Sequence, residues 1–361
     1  MNVVSVIMIA FALLGAADYL LNNKFGLGKE FEKGFSMLGT LSLSMIGMIV
    51  LAPTIAQVLT PVLNFISQHT PFDPSIIAGS LLANDMGGAS LAMRIANDAE
   101  LGYFNGLVVS CMMGAAISFN LPFIMSAAKK DQLSHVLLGM LCGIIAVPVG
   151  CFVSGLMLGL GVGKTLLNLL PLTVFAVIIA LGLWFVPKIA LKIFSVFGKV
   201  LRLMIIVGLM AGIIEFLLGV KLIPHSAPLE EGILIVFNAG AVMAGAFPLL
   251  YLLQKALKKP LKGLGKMLKI NDSSALGFVS TLATNVTTFS MLDQMDERGI
   301  VFNSAFAVSA SFLLSDHLAF TLSFKADYLP AVMAGKIISA IAGIAVAMLL
   351  YSMQKKKKKV N

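Results

Sequence analysis

Residues 75–95 read SIIAGSLLANDMGGASLAMRI. The segment is apolar at both ends, but its middle holds Asn84-Asp85-Met86-Gly87-Gly88. Polar residues and paired glycines are unfavourable in a helix that faces lipid, because the hydrocarbon core offers the backbone no hydrogen-bond partner. They suit a hairpin that enters the membrane, unwinds and returns to the side from which it came. We therefore predict a re-entrant hairpin over residues 75–95.

Residues 274–294 have the same design further along the chain. They read SALGFVSTLATNVTTFSMLDQ, with Thr284-Asn285-Val286-Thr287-Thr288 at the centre. The polar centre again interrupts an apolar segment, so we predict a second re-entrant hairpin here.

The remaining chain is dominated by apolar segments of membrane-spanning length. Hydrophobic residues make up 58% of the 361 residues and charged residues only 12%, whereas soluble domains carry about a quarter charged residues. A bilayer core requires about 20 apolar residues for one helical crossing. The other apolar segments are 3–21, 35–59, 103–126, 133–158, 165–186, 203–219, 233–254, 300–323 and 329–352. The sequence thus predicts an all-α integral membrane protein, one domain over residues 1–361, with about nine transmembrane helices plus the two hairpins.

The basic residues support this arrangement. The net charge of +9 comes from lysine and arginine in short loops, so membrane orientation explains it better than nucleic-acid binding. With both hairpins re-entrant, twenty basic residues fall in cytoplasmic loops and the tail, against three outside. If all eleven segments spanned, this bias would vanish. We therefore predict an external N-terminus and a cytoplasmic C-terminus, with residues 188–202 as an amphipathic helix at the interface.

The two halves of the chain resemble each other. Ser80–Asp85 aligns with Ser280–Asn285, 200 positions later, and Phe104-Asn105 aligns with Phe302-Asn303, 198 positions later. We predict repeat unit one at 35–158 and repeat unit two at 233–352, joined by connecting helices at 165–219. The predicted topology makes the repeat inverted, as in many secondary transporters.

Ionisable residues inside apolar segments are the first candidates for a functional site, because a charge at bilayer depth is costly. Asp85 lies at the predicted helix break, where Asn84, Gly87 and Gly88 free backbone groups and allow close approach of a ligand. Asp316 and His317 lie in the span after the second hairpin. His317 could relay a proton, or could simply be satisfied by a neighbouring hydroxyl.

The polar residues of the second hairpin could bind a hydroxyl group. Asn285, Thr287 and Thr288 are the counterparts of Asp85, Gly87 and Gly88. The alternative is that they form hydrogen bonds between helices, which membrane bundles use widely.

Three further buried charges are assigned to coupling or to the scaffold. Lys336 is deep in the last span, and we expect it to pair with a carboxylate such as Asp316. Asp18 and Glu215 lie near span ends, where we expect solvent to reach them.

No cofactor or metal is predicted. Cys111, Cys142 and Cys151 have no metal-ligand spacing. Residues 159–165 resemble a phosphate-binding loop, but residue 158 is leucine where that motif requires glycine. No zinc-protease or hydrolase motif appears, which disfavours an intramembrane enzyme.

Four motifs resemble the ethanolamine utilisation permease family (EutH): Leu81–Gly88, Met295–Gly299, Phe306–Ala310 and Ser315–Phe320. The resemblance implies a multi-pass protein of the bacterial cell (inner) membrane that imports ethanolamine for ethanolamine utilisation. The amine then feeds a cobalamin-dependent cytoplasmic pathway, although this chain would not bind cobalamin itself. Protonated ethanolamine needs a carboxylate for its ammonium group and hydrogen-bond partners for its hydroxyl, which Asp85, Asp316 and Asn285 could provide.

The second hairpin departs from the family pattern, in which two adjacent asparagines precede an apolar residue and proline. Here it reads Thr284-Asn285-Val286-Thr287, which could shift selectivity toward another small amine or alcohol. A channel-like facilitator is the alternative to a carrier. The sequence leaves open whether a proton, sodium or neither is coupled, and it does not indicate an oligomeric state.

Overall fold

A computed structural model describes residues 3–121, 123 and 128–360, and within these residues the chain is helical with no strand. The helices are α1 Val3–Leu20, α2 Leu27–Leu41, α3 Gly47–His69, α4 Ser75–Leu81, α5 Gly88–Ile95, α6 Ala99–Tyr103, α7 Leu133–Met157, α8 Val162–Phe185, α9 Pro187–Leu218, α10 Leu229–Leu268, α11 Asp272–Ala283, α12 Asn285–Ser290, α13 Glu297–Ala310, α14 Asp316–Lys325 and α15 Leu329–Val360. Short 3₁₀ turns occupy Asn84–Met86, Leu292–Gln294 and Ala326–Tyr328. The π-helical stretches are Ser42–Ile46, Phe104–Gly114 and Ala116–Asn120.

Seven helical stretches among the described residues are long and apolar enough to cross a membrane. They are Gly47–His69, Ala99–Asn120, Leu133–Met157, Val162–Phe185, Pro187–Leu218, Leu229–Leu253 and Asp316–Met353. Their outer faces carry large apolar side chains, and on α8 Leu166, Leu170 and Ile178 are each more than half exposed. Such a surface is stable in lipid and unfavourable in water. The predicted all-α membrane fold is confirmed.

Helix boundaries differ from the predictions, most clearly in three places. The segment predicted to end at 59 continues to His69, and the segment predicted to end at 254 continues to Leu268. Residues 188–202 are not a separate helix, because α9 runs without interruption from Pro187 to Leu218. The predictions followed hydropathy, whereas lysine and glutamine are good helix formers that extend a helix beyond its apolar part.

The predicted span 300–323 is broken, which is a correction to the sequence analysis. Helix α13 ends at Ala310, residues 311–315 form a turn in which Phe312 has φ 61°, and α14 begins at Asp316. The turn is tolerated because its backbone finds partners in the second hairpin. The N–H groups of Phe312 and Leu314 donate to the carbonyls of Thr281 and Leu282 at 3.2 and 2.9 Å.

The two ends of residues 75–95 lie side by side. One carboxylate, that of Asp73, accepts hydrogen bonds from the N–H of Ser75 at 2.9 Å and from those of Asn97 and Asp98 at 2.9 and 3.0 Å. Helix α4 has seven residues, which correspond to about 10 Å of rise. The chain therefore turns at Asn84–Met86, well short of the depth of a complete crossing.

The two ends of residues 274–294 are joined in the same way. Asp296 accepts hydrogen bonds from the N–H of Asn271 at 3.0 Å and from Oγ of Ser274 at 2.7 Å. In addition, Asn303 donates to the carbonyl of Ser274 at 2.8 Å, and Asn105, 198 positions earlier, donates to Oγ of Ser75 at 2.8 Å. Each half of the chain thus ties the start of its hairpin to the following span.

The hairpins open at opposite ends of α7. Before this helix, Gln132 donates to Asp293 at 2.8 Å, next to the end of the second hairpin. After it, the ammonium of Lys164 lies 2.6 Å from Asp98, next to the end of the first hairpin. The 25 residues of α7 correspond to about 37 Å, which exceeds the thickness of the hydrocarbon core.

One helical stretch, Ala99–Asn120, is almost completely enclosed by the others. We call it the central span. Its interior is polar at several positions, because Asn105, Ser110, Ser118 and Asn120 are all buried along it. This span provides the hydrogen-bond partners of both hairpins.

Candidate functional site

The first hairpin unwinds between its two short helices. Leu82 and Ala83 are extended, Gly87 has φ 92°, and α5 begins at Gly88. A side chain at Gly88 would collide with Oγ of Ser110 and with the carbonyl oxygens of Leu82 and Ala83. The paired glycines therefore allow a tight break that no larger residue would fit.

Serines of the central span satisfy the backbone groups that this break frees. Ser110 donates from Oγ to the carbonyl of Leu82 at 2.5 Å. Ser118 accepts a hydrogen bond from the N–H of Ala83 at 3.1 Å and donates to the carbonyl of Gly114 at 2.8 Å. Sequence reasoning missed Ser110, although its position inside an apolar segment is a detectable signal.

The polar side chains at this break are buried without partners. Asn84 is completely buried, and neither its amide nitrogen nor its amide oxygen has a hydrogen-bond partner among the described residues. One carboxylate oxygen of the partly buried Asp85 is likewise unpaired. An unsatisfied buried polar group costs about 1–3 kcal/mol, so such groups indicate a place where a ligand or water binds.

Asp316 lies next to this break. The turn Asn84–Met86 contacts α14, whose first residue is Asp316. Asp85 is part of this turn, so the two carboxylates belong to two elements that are in direct contact. Oγ of Ser315 donates to the carbonyl of Ala283 at 2.5 Å, which fixes the start of α14 against the second hairpin. The structure thus brings together the two carboxylates that the sequence singled out.

Lys336 is completely buried beside them. Its ammonium donates to the carbonyl of Cys111 at 2.7 Å and pairs with Nδ1 of His317 at 2.8 Å. An ammonium group can donate hydrogen bonds but cannot accept them. Nδ1 of His317 is therefore the acceptor, and the proton of the neutral imidazole is on Nε2. The expected direct pairing with Asp316 is wrong, because His317, about 100° further round the helix, is the residue that meets α15.

Lys336 nevertheless lies near both carboxylates through its two partners. His317 follows Asp316 in the chain, and Cys111 follows Ser110, whose Oγ donates to the carbonyl of Leu82 in the first break. The candidate site therefore consists of Asn84, Asp85 and Asp316, with Lys336 and His317 directly behind them.

In the second hairpin, Asn285 is also completely buried. Its amide nitrogen donates to Oδ1 of Asn120 at 2.6 Å, and Asn120 donates to the carbonyl of Ala307 at 3.2 Å. The amide oxygen of Asn285 has no partner. Sequence reasoning missed Asn120, a polar residue deep in the predicted span 103–126.

The two threonines of this hairpin have different surroundings. Thr288 donates to the carbonyl of Gly277 at 3.0 Å and shares a hydrogen bond of 2.8 Å with Thr281. It therefore links the two arms of the hairpin, which favours the helix–helix alternative. Thr287 is exposed, and its carbonyl accepts a hydrogen bond from Ser290.

Asp18 and Glu215 are held by local contacts. Asp18 is only 2% exposed, which corrects the expectation that solvent reaches it. Its carboxylate accepts hydrogen bonds from the N–H groups of Phe25, Leu27 and Gly28 at 2.7–2.9 Å. Glu215 lies 3.5 Å from Lys221 and accepts a hydrogen bond from Ser226 at 3.3 Å. Within the described part of the chain, no three His, Cys, Asp or Glu side chains are grouped as metal ligands would be.

Taken together, long apolar helices, interrupted hairpins and buried charges at the interruptions define a multi-pass cell-membrane protein with the architecture of a transporter. The chain belongs to the EutH family: the family model described as "Ethanolamine utilisation protein, EutH" matches residues 1–350.

Full-length relatives support this assignment. The chain is 41% identical over 360 residues to "Probable ethanolamine permease EutH" of Listeria monocytogenes serotype 1/2a, covering 100% of this chain and 96% of that protein. It is 37% identical over 387 aligned positions to the protein of the same name from Salmonella typhimurium, covering 97% and 95%. It is 38% identical over 341 residues to "Uncharacterized protein YxeR" of Bacillus subtilis, covering 94% and 92%. No solved structure matches the chain.

Proposed function

We propose that this protein is a permease that imports ethanolamine, as its ammonium form, across the bacterial cell membrane. The observation that carries the proposal is the pair of unsatisfied buried side chains at the first break, Asn84 and Asp85. Their amide and carboxylate groups match the hydroxyl and ammonium groups of this small molecule. The names of the relatives from Listeria and Salmonella support the same substrate.

In this proposal the ammonium group binds between Asp85 and Asp316. Both carboxylates are partly buried and close enough to interact. The negative charge of each one therefore increases the affinity of the site for a cation. Asn84 binds the hydroxyl. The amide oxygen of Asn285 is a second hydrogen-bond acceptor that could contact the substrate from the second hairpin in another conformation of the carrier.

Asp85→Asn tests this assignment. The change keeps the shape of the side chain and removes its charge, so saturable uptake of labelled ethanolamine should fall about tenfold to a hundredfold, since a hydrogen bond to a charged group contributes about 1.5–3 kcal/mol. The matched control is Asp327→Asn, an exposed aspartate that pairs with Lys325 at 3.1 Å. Both variants should reach the membrane equally. Unchanged uptake by Asp85→Asn would remove this residue from the site.

A channel-like facilitator remains the second candidate. The broken and repeated architecture favours alternating access, and counterflow of labelled substrate against an unlabelled gradient distinguishes a carrier from a channel. If the protein took up another small amine or alcohol in preference to ethanolamine, it would still be a transporter, but its substrate would differ from the one proposed.

We also propose nine spans and two re-entrant hairpins in an inverted repeat, with the N-terminus outside. Support comes from the hydrogen bonds of Asp73 and Asp296, which join the two ends of each hairpin. Cysteines introduced near His69 and near Arg94 should both react with an impermeant maleimide from outside. Cysteines introduced near Asn271 and near Gln294 should react only from the cytoplasmic side. Labelling of one pair from opposite sides would make that hairpin a complete span.

A further inference from the structure

We propose that Lys336 determines specificity by charge: its buried ammonium cancels one of the two carboxylates, Asp85 and Asp316, and so restricts the site to amines with a single positive charge. The inference rests on the proposed function, in which these carboxylates bind the substrate. A site that only had to bind a cation would not need Lys336, because its positive charge repels a cationic substrate. Control of the net charge explains why this lysine is present.

The contacts of Lys336 leave its charge without a direct counter-ion. The two acceptors, the carbonyl of Cys111 and Nδ1 of His317, are both neutral. They come from the central span and from α14, so the ammonium is fixed between three helices. A buried charge needs compensation, because an uncompensated one is strongly unfavourable in a low-dielectric interior. The compensating charge comes from the carboxylates near these two acceptors, because His317 follows Asp316 in the chain and Cys111 follows Ser110, which donates to the carbonyl of Leu82 in the first break.

Four titratable groups on different elements face Lys336. Asp85 faces it from the first hairpin, His317 from α14, Cys111 from the central span and Cys151 from α7. His317 is neutral because its Nδ1 accepts a hydrogen bond, and thiols carry no charge under ordinary neutral conditions. Asp316 interacts with Asp85 and adds the second carboxylate.

With both carboxylates ionised and Lys336 protonated, these groups carry one net negative charge. An amine with one positive charge brings the site to neutrality, whereas a diamine with two leaves one uncompensated positive charge inside the membrane. The site of a chain without Lys336 would carry two negative charges and would suit a diamine. Selectivity between the two kinds of amine is therefore the property that Lys336 should control.

The experiment compares ethanolamine with 1,3-diaminopropane as ligands of the purified full-length protein in nanodiscs. The measurement is made at about pH 7.5, where aliphatic amines retain their protons because their pKa is near that of lysine, and where carboxylates are more fully ionised than in acid. Thermal stabilisation at graded concentrations gives the ratio of the two affinities. Wild-type protein should prefer ethanolamine. In Lys336→Met the ratio should move toward the diamine by about tenfold or more.

Two further variants separate charge from shape. Lys336→Arg keeps the charge and should keep the preference for ethanolamine. Lys336→Met combined with Asp316→Asn restores one net negative charge and should restore that preference as well. A merely structural lysine predicts no such recovery, because the second substitution replaces no contact of Lys336.

Asp316→Asn alone provides a test that retains Lys336. It brings the empty site to neutrality, so the preference for ethanolamine over uncharged ethylene glycol should fall by about tenfold. An unchanged affinity ratio in both Lys336→Met and Asp316→Asn, with ethanolamine still bound, would overturn the charge balance. Wild-type protein that does not bind ethanolamine at all would instead contradict the proposed substrate.

Discussion

The two hairpin breaks occupy corresponding positions in the chain, yet their polar groups have different fates. In the first break, Asn84 has no hydrogen-bond partner for either amide atom, and one oxygen of Asp85 is unpaired. In the second, Thr288 is bonded to Gly277 and Thr281, and Asn285 is bonded through its nitrogen to Asn120, so that among the described buried side-chain atoms only the amide oxygen of Asn285 remains unpaired there. Two segments with the same design therefore present different surfaces.

The difference indicates a division of labour. Buried groups that the protein itself satisfies contribute to stability, whereas groups that it leaves unsatisfied lower stability unless a ligand binds them. The first hairpin leaves buried polar groups unsatisfied, and it does so close to two carboxylates and a buried lysine. We infer that the first break binds the substrate and that the second mainly holds the scaffold around it.

The largest effect is expected from position 88 and its counterpart, position 288. Gly88→Ala places a methyl group against Ser110 and two carbonyl oxygens that cannot easily move, so the free energy of unfolding should fall by about 3 kcal/mol. Thr288→Ala removes hydrogen bonds and should cost only about 1 kcal/mol. Melting temperatures of the purified variants in the same detergent measure both changes.

Gly163→Ala is the control for the first of these substitutions. A methyl group at Gly163, in the first turn of α8, meets no atom within 4 Å. It should leave the melting temperature nearly unchanged. If Gly88→Ala were equally harmless, the first break would be looser than the structure shows, and the two breaks would not differ in the way described.

A smaller effect should separate the two asparagines. Asn84→Ala removes an amide that has no protein partner, so stability should change little while the affinity for ethanolamine falls about tenfold. Asn285→Ala leaves Oδ1 of Asn120 unpaired and should lower the free energy of unfolding by about 1–3 kcal/mol. Melting curves with and without ethanolamine report both quantities. The opposite pattern would exchange the roles of the two hairpins.

Both hairpin breaks and the membrane fold could be predicted from the sequence. The positions of both breaks follow from polar residues and glycines inside apolar segments, and the membrane fold follows from segment length and composition. The break at 311–315 was not predicted. Its residues, Ser311 to Ser315, include apolar Phe312, Leu313 and Leu314, and the turn exists because N–H groups there bond to carbonyls of α11.

The hydrogen-bond partners that these groups find on other helices could not be predicted from the sequence either. Ser110, Asn120 and Cys111 contribute from the central span, and Asn120 and Cys111 bond to Asn285 and Lys336, which are 165 and 225 residues away. Lys336 was expected to pair with Asp316 and instead meets His317, because a shift of one residue on a helix turns a side chain by about 100°. Spacing along the chain indicates which residues lie on one helix face, but not which face meets a given neighbour.

The sequence by itself determined that this protein spans a membrane, where its two hairpins are interrupted, and that burying the charges of Asp85 and Asp316 is costly. Composition and periodicity suffice for these points because lipid admits only helices whose backbone is satisfied. The tertiary structure decided which polar groups find partners and which remain unpaired. That outcome depends on contacts between distant segments, such as that of Lys336 with Cys111, which is 225 residues away, and no local pattern records them.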